Sequence, residues 1–263
     1  MIKLILVDID GTLLNSNLEV TERTRQAIKR LKEKDIRFGI ATGRSPYAVK
    51  NLINDWGIND NTDLIVGFNG SAYLDLDTGV MHSHFLLEGQ YVKQILEDFK
   101  DYDKNAGIYI GETFYCLRED KHAIRIADMN HFSLVVDDLS DYTTKPVNKV
   151  LLLGDPEESK KMEEHYNQIN PDYKITRSRD TILECINKNL SKSAGIALML
   201  EDMGLTKDEV MTFGDEMNDY EMIRDYVGVA MANGNPEVKA VATYLTDSND
   251  EDGIATFIEN RLL

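Results

Sequence analysis

Of 263 residues only two are cysteine, Cys116 and Cys185, and their number and spacing support neither a disulfide framework nor a thiolate metal site. Both are expected as buried, inert thiols, which leaves no basis for redox chemistry. No apolar run approaches the ~20 residues that a membrane span needs. Basic side chains are scarce: 29 Lys and Arg stand against 46 Asp and Glu, a formal charge of −17. Such an excess repels phosphate backbones and anionic lipid, so a non-specific nucleic-acid or membrane surface is excluded. No internal repeat and no low-complexity tract is found, and the acidic run from Asp247 to Gly253 reads as a loop. Met1-Ile2-Lys3 leads straight into an apolar run with no room for a secretory leader, and a cytoplasmic location is the expectation. What is present is ordinary for a globular chain, with 42% hydrophobic and 29% charged residues, long enough for one full domain and a smaller second one.

The first apolar run, Leu4 to Val7, ends in Asp8-Ile9-Asp10-Gly11-Thr12. Strands rarely carry Asp, and alternation along a strand would point Asp8 and Asp10 to the same side. Two such carboxylates coexist near neutral pH when a cation lies between them or when one holds a proton. Thr24, Ala27, Ile28 and Leu31 then recur at helical spacing over 21–34, with Thr21 as the expected N-cap. A second strand, Ile36 to Ala41, runs into Thr42-Gly43-Arg44. Ser45-Pro46 reads as a cap and first-turn proline, followed by a helix burying Val49, Leu52, Ile53 and Trp56. Leu64 to Phe68 is a third strand ending in Asn69-Gly70. Strand, helix, strand, helix, strand is the order of a parallel sheet wrapped by helices, with polar loops gathered at the carboxyl ends.

The rhythm changes near His84. A helix with Val92, Ile95, Leu96 and Phe99, a strand from Ile108 to Cys116, a polar helix, a strand from Lys149 to Leu153, a helix after Pro156 and two further strands suggest an inserted α+β module. No Gly/Ser-rich linker marks its edges. The first pattern returns with a helix over 191–203, a strand from Val210 to Gly214 ending in Asp215, short strands near 228–231 and 243–246, and a last helix. The expected organisation is an α/β, Rossmann-like parallel-sheet core over residues 1–83 and 188–263, with an inserted α+β domain over 84–187.

Four polar stations stand at strand ends or helix starts of that core: Asp8 with Asp10, Thr42-Gly43, Lys192, and Asp215 with Asn218-Asp219. Together they resemble the haloacid dehalogenase-like hydrolases. Asp8-Ile9-Asp10-Gly11-Thr12 matches the DxDGT motif, Thr42 the second motif, Lys192 the third and Gly214-Asp215-Glu216-Met217-Asn218-Asp219 the fourth. An insert between the second and third motifs resembles the Cof-type phosphatases with a C2B cap. Ser193 follows Lys192 where many relatives carry glycine.

The resemblance implies a phosphatase working through an aspartyl-phosphate on Asp8, with Asp10 as general acid and then base. It implies Mg²⁺ held by Asp8, Asp215 and the backbone carbonyl of Asp10, and a phosphoryl cradle from Lys192, Thr42, Asn218 and the backbone N–H groups of Ile9 and Gly43. Arg44 and Asn69 fall at the same sheet edge, and Arg44 is a candidate phosphate contact. Asp219 is expected to orient Lys192 or a metal-bound water. A small phosphorylated metabolite such as a sugar phosphate is the implied substrate, chosen by a cap that closes over the core. A phosphosugar mutase of the phosphomannomutase type would keep the same site, and nothing in the core excludes it. A low-turnover phosphate-binding or regulatory protein is the alternative from another class. Dehalogenation has no use for Asp10 or a metal.

Overall fold

Four apolar residues in succession form β1 (Leu4–Val7), and all four are buried. A central parallel strand needs that composition because both of its faces are covered. The computed structural model describes Met1 to Leu263, which divide into two units, Met1–His84 with Ser191–Leu263 and Phe85–Leu190.

In the first unit, Thr21 caps α1 (Glu22–Leu31), its hydroxyl accepting from the Thr24 N–H, and Thr24, Ala27, Ile28 and Leu31 form the buried stripe. β2 (Arg37–Ala41) and α2 (Pro46–Asp55) follow. Pro46 sits in the first turn of α2 as expected, but Ser45 makes no side-chain capping bond. After β3 (Leu64–Gly67) come two strands absent from the sequence reading, β4 (Ala72–Asp75) and β5 (Met81–Ser83), which pair antiparallel and extend the sheet.

The second unit holds α3 (Gly89–Asp98), β6 (Asn105–Ile110), β7 (Thr113–Cys116), α4 (Lys121–Asn130), β8 (Ser133–Val136), β9 (Val150–Leu153), α5 (Pro156–Ile169), β10 (Tyr173–Arg179) and β11 (Ile182–Asn187). The single strand expected from Ile108 to Cys116 is instead a hairpin, turned at Gly111 with φ +59°. Its sheet runs β10-β11-β9-β6-β7-β8, antiparallel except for β7 with β8. Val92, Ile95, Phe99, Ile108, Val150, Leu152 and Leu183 give it a core of its own. The charged stretch before α4 is structural: the Asp120 carboxylate caps the helix through the His122 and Ala123 N–H groups, and Arg118 pairs with Asp103 and Asp120.

The chain then completes the first unit with α6 (Lys192–Met203), β12 (Val210–Gly214), α7 (Tyr220–Asp225), β13 (Val227–Ala230), α8 (Pro236–Val241), β14 (Tyr244–Leu245) and α9 (Gly253–Arg261). Its sheet order is β14-β13-β12-β1-β2-β3-β4-β5, parallel from β14 to β3. Alternate residues of β1 enter opposite layers. Ile5 and Val7 pack with α1, α2 and α9, while Leu4 and Leu6 pack with α6, α7 and α8. Both layers are apolar, so shape rather than polarity must hold the register. At Gly39 a Cβ would meet Leu64 Cγ at 2.9 Å and Leu6 Cδ2 at 3.0 Å, so only glycine lets its neighbours fill that face.

The first turn of α6 sits directly on the turn after β3. A Cβ on Gly195 would lie 2.1 Å from the Gly70 carbonyl oxygen, and Gly70 itself has φ +99°. Gly195→Val should therefore cost about 2–3 kcal/mol and lower Tm by roughly 5–10 °C. Gly154→Ala, whose added methyl finds its nearest neighbour at 3.5 Å, is the control. Equal Tm values for both variants would refute the close helix-to-turn contact.

Candidate active site

Asp8 follows β1 directly. Its N–H donates to the Phe213 carbonyl (3.0 Å), which carries the alignment with β12 one residue past the strand, and its side chain is buried. Lys192 opens α6, where Ser191 is the N-cap. A cation in the first turn opposes the helix dipole, so helix stability does not explain it. Its partners do: Nζ donates to Asp8 Oδ1 and to Asp219 Oδ1, each at 2.6 Å, with only 1% of the side chain exposed. The other oxygen of Asp219 accepts the N–H groups of Asp215 (3.1 Å) and Glu216 (3.3 Å). Both oxygens of Asp219 are thus occupied, and its task is to orient Lys192 and the turn after β12. Gly214 makes room, since a Cβ there would lie 2.6 Å from that of Asp219.

Asp215 is tied to the first loop. Thr12 Oγ1 donates to its Oδ1 at 2.7 Å, and a Cβ on Gly11 would lie 2.3 Å from its Oδ2. Gly11, at φ +87°, is the residue that lets the two loops meet.

Asp8, Asp215 and Asp219 offer carboxylate oxygens within 4.8 Å of one another, all buried. Against these three acids stands one ammonium. The deficit shows in the titration of the group. Burial, with the charges of Asp219 and Asp215 added, raises Asp8 to about 7 although Lys192 pulls it down. Burial also raises Asp215 to about 6 despite the Thr12 hydrogen bond. Burial alone would lower Lys192, but Asp219 and Asp8 outweigh it and hold the ammonium above the usual lysine range. An all-oxygen, electron-rich and positively undercharged cluster fits a hard divalent cation. Asp8 and Asp215 each keep an oxygen outside the hydrogen bonds just described, so they are the carboxylates suited to ligation.

The remaining candidates fall into two groups. Asp10 lies beyond the end of β1, where strand alternation no longer applies, and its carboxylate turns outward instead of sharing the side of Asp8. It accepts from Arg44 Nη2 at 2.6 and 2.9 Å. Thr42, Gly43 and Asn69 form one turn: the Thr42 hydroxyl accepts from the Arg44 N–H (3.2 Å), its carbonyl accepts from the Asn69 N–H (3.0 Å), and Gly43 backs onto the Asn69 side chain. Ile9 is buried, with its carbonyl collecting the N–H groups of Leu13 and Leu14, while Asn218 is exposed on the loop before α7. Ser193, next to Lys192, donates to Asp225 (2.7 Å) and leaves Lys192 in its pocket.

Sequence reasoning passed over the loop after β13. Asn233 Nδ2 donates to the Gly11 carbonyl at 2.8 Å, and the Asn235 N–H donates to the Asp215 carbonyl at 2.7 Å. The signal was available, because Asn233-Gly234-Asn235 follows an apolar strand of the same sheet.

A family model described as haloacid dehalogenase-like hydrolase matches residues 5–258. Among curated proteins, the chain is similar to two from Bacillus subtilis named 5-amino-6-(5-phospho-D-ribitylamino)uracil phosphatase. YitU is 29% identical over 97% of this chain and 96% of its own, and YcsE 30% over 100% and 96%. Among solved structures, a haloacid dehalogenase-like hydrolase from Bacteroides thetaiotaomicron superposes with a TM-score of 0.87 at 30% identity, covering 99% of each chain. No helix is long and apolar enough to cross a membrane.

Without metal, Asp8 and Asp215 bind protons more tightly in the fold than in the unfolded chain, where each titrates near 3.8. Their burial is therefore tolerated best at low pH, and the fold loses stability as pH rises through about 6 for Asp215 and about 7 for Asp8. Asp215→Asn removes one of these losses. In chelator, its Tm relative to wild type should climb by a few degrees between about pH 4.5 and about pH 7.5. Saturating divalent metal should reverse the ranking. A difference that stays flat or narrows with rising pH would show that Asp215 is not a destabilised carboxylate.

Proposed function

The chain belongs to the haloacid dehalogenase-like hydrolases, and we propose that it is a Mg²⁺-dependent phosphatase releasing phosphate from small phosphorylated metabolites through an aspartyl-phosphate on Asp8. The observation that carries this reading is the buried Asp8–Lys192–Asp219 chain beside Asp215. A lone strand-end aspartate has structural uses, but one locked to a buried lysine and facing a second acid short of a counter-charge is built for an anionic reaction.

Asp8, Asp215 and the backbone carbonyl of Asp10 would hold Mg²⁺, whose charge when bound lets a carboxylate approach a phosphate ester. Asp8 attacks phosphorus, the ester P–O bond breaks, and the proton of the Asp10 carboxyl goes to the leaving oxygen to give the free alcohol. Asp10 then takes a proton from water, whose oxygen attacks the phosphorus of the aspartyl-phosphate. The acyl P–O bond breaks, and inorganic phosphate and the Asp8 carboxylate are released. Lys192, the Thr42 hydroxyl, Asn218 and the backbone N–H groups of Ile9 and Gly43 cradle the phosphoryl oxygens.

Arg44 has a double part in this scheme. It clasps Asp10 in the resting protein, and an incoming phosphate oxygen competes for the same guanidinium, freeing Asp10 for proton transfer. The choice among esters is assigned to the inserted residues 84–187. The ribitylaminouracil phosphate in the relatives' names is a polyol phosphate monoester, in line with a sugar- or polyol-phosphate substrate here.

A panel of sugar phosphates, polyol phosphates, nucleoside monophosphates, pyridoxal phosphate and flavin mononucleotide, run with Mg²⁺ and with chelator, tests class, cofactor and substrate together. Phosphate release on sugar or polyol phosphates that stops in chelator is the expected outcome. Asp8→Asn should lose at least about 10³-fold in kcat while its circular dichroism stays that of wild type. Asp10→Asn should keep metal binding and slow turnover about 10²–10⁴-fold, whereas Asp215→Asn should raise the Mg²⁺ requirement first. Near-normal metal-dependent turnover by Asp8→Asn would sink the nucleophile assignment.

A further inference from the structure

Asn233 belongs to none of the four motifs, yet it bonds to the backbone inside the first. Its Nδ2 donates to the Gly11 carbonyl (2.8 Å) while its Oδ1 accepts the Asn249 N–H (3.1 Å). Asn249 Nδ2 in turn donates to the Leu14 carbonyl (2.9 Å), and Asp250 accepts both the N–H (2.7 Å) and the hydroxyl (2.6 Å) of Ser16. The acidic loop 247–252 thus straps the segment that follows Asp10, and Asn233 is the link nearest the chemistry.

Within its own loop the Gly11–Thr12 peptide is held only by a long bond from the Thr12 N–H to the Ile9 carbonyl (3.4 Å). Any side chain on Gly11 would strike Asp215, and its φ of +87° suits glycine. The carbon bearing the gripped carbonyl joins Thr12, whose hydroxyl holds Asp215, and the other side of Gly11 joins Asp10. Turning that peptide would therefore move Asp10 and the Thr12–Asp215 bond together. The side chain must donate in one direction and accept in the other at short reach, which asparagine does and aspartate does not.

We propose that Asn233 is a positioning residue, fixing the Gly11 peptide so that Asp10 and Asp215 are held in working register; this rests on the phosphatase reading. Asn233 is exposed, so water can replace its hydrogen bonds with little change in stability. The effect falls on orientation, where displacements of about 1 Å cost about 10²-fold.

Three variants test it: Asn233→Ala, Asn233→Asp, which keeps the acceptor but sets a carboxylate oxygen against the Gly11 carbonyl, and Asn249→Ala as the control for loosening the strap. Both Asn233 variants should lose about 10- to 100-fold in kcat on the best panel substrate with KM within about twofold, and Asn249→Ala no more than about threefold. Hydrogen exchange read by mass spectrometry should quicken at the amides of Thr12, Leu13 and Leu14 in Asn233→Ala and not in Asn249→Ala. The proposal is overturned if Asn233→Ala keeps kcat within about twofold, if Asn249→Ala loses as much, or if exchange at 12–14 is unchanged. A wild type that hydrolyses nothing on the panel would refute the phosphatase reading instead, and exchange would then decide the strap alone.

Discussion

One ammonium stands against three buried acids and bonds two of them. Lys192 reaches Asp8 after β1 and Asp219 after β12 from the opening turn of α6, so three separate chain segments meet at a single nitrogen. Removing it would leave three carboxylates facing one another away from water, which no nearby group could offset. The glycines around it follow from this demand for closeness. Gly214 admits Asp219, Gly11 admits Asp215, and Gly195 with Gly70 lets α6 approach the turn after β3. A chain of charge −17 spends a lysine where helix electrostatics disfavour one, because the acids beside it need a cation more than the helix objects to it.

A second consequence concerns the division between Asp8 and Asp10. Two residues apart in sequence, they have separate cationic partners, Lys192 in the interior and Arg44 at the surface. That separation removes the like-charge conflict implied by their spacing: the first carboxylate is held in the interior and the second is paired at the surface.

The core was largely readable because its signals are of the kind a sequence displays. Leu4 to Val7, Phe38 to Ala41 and Val210 to Gly214 are mainly apolar runs that end abruptly in polar residues, and a parallel sheet gathers such ends at one edge. Asp8, Thr42 and Asp215 stood out for that reason, and Lys192 as a cation at a helix start. β4 and β5 were missed because they are short and mixed in polarity, and β8 because Ser133–Val136 is apolar yet mostly exposed at a sheet edge. β6 and β7 merged into one expected strand because only Gly111 and Glu112 separate them. The outward turn of Asp10 was illegible for a different reason: alternation predicts direction only while the strand lasts, and β1 ends at Val7. Asn233 was hidden by ordinariness, since an asparagine beside a glycine is what any loop contains.

The chain leaves the first unit after His84 and re-enters it at Ser191, one residue before the lysine. Leu4 pairs with Val210, so the sheet that carries Asp8 cannot close until almost the whole polypeptide has been made. The second unit, by contrast, is built from residues 85–190 alone. During synthesis from the N-terminus, it has all its strands in hand while the first unit still lacks β12, β13 and β14. The nascent protein therefore carries Asp8 for most of its synthesis without the ammonium that makes its burial bearable, and the buried acidic cluster is assembled last, only when Lys192 and the strand beyond it emerge.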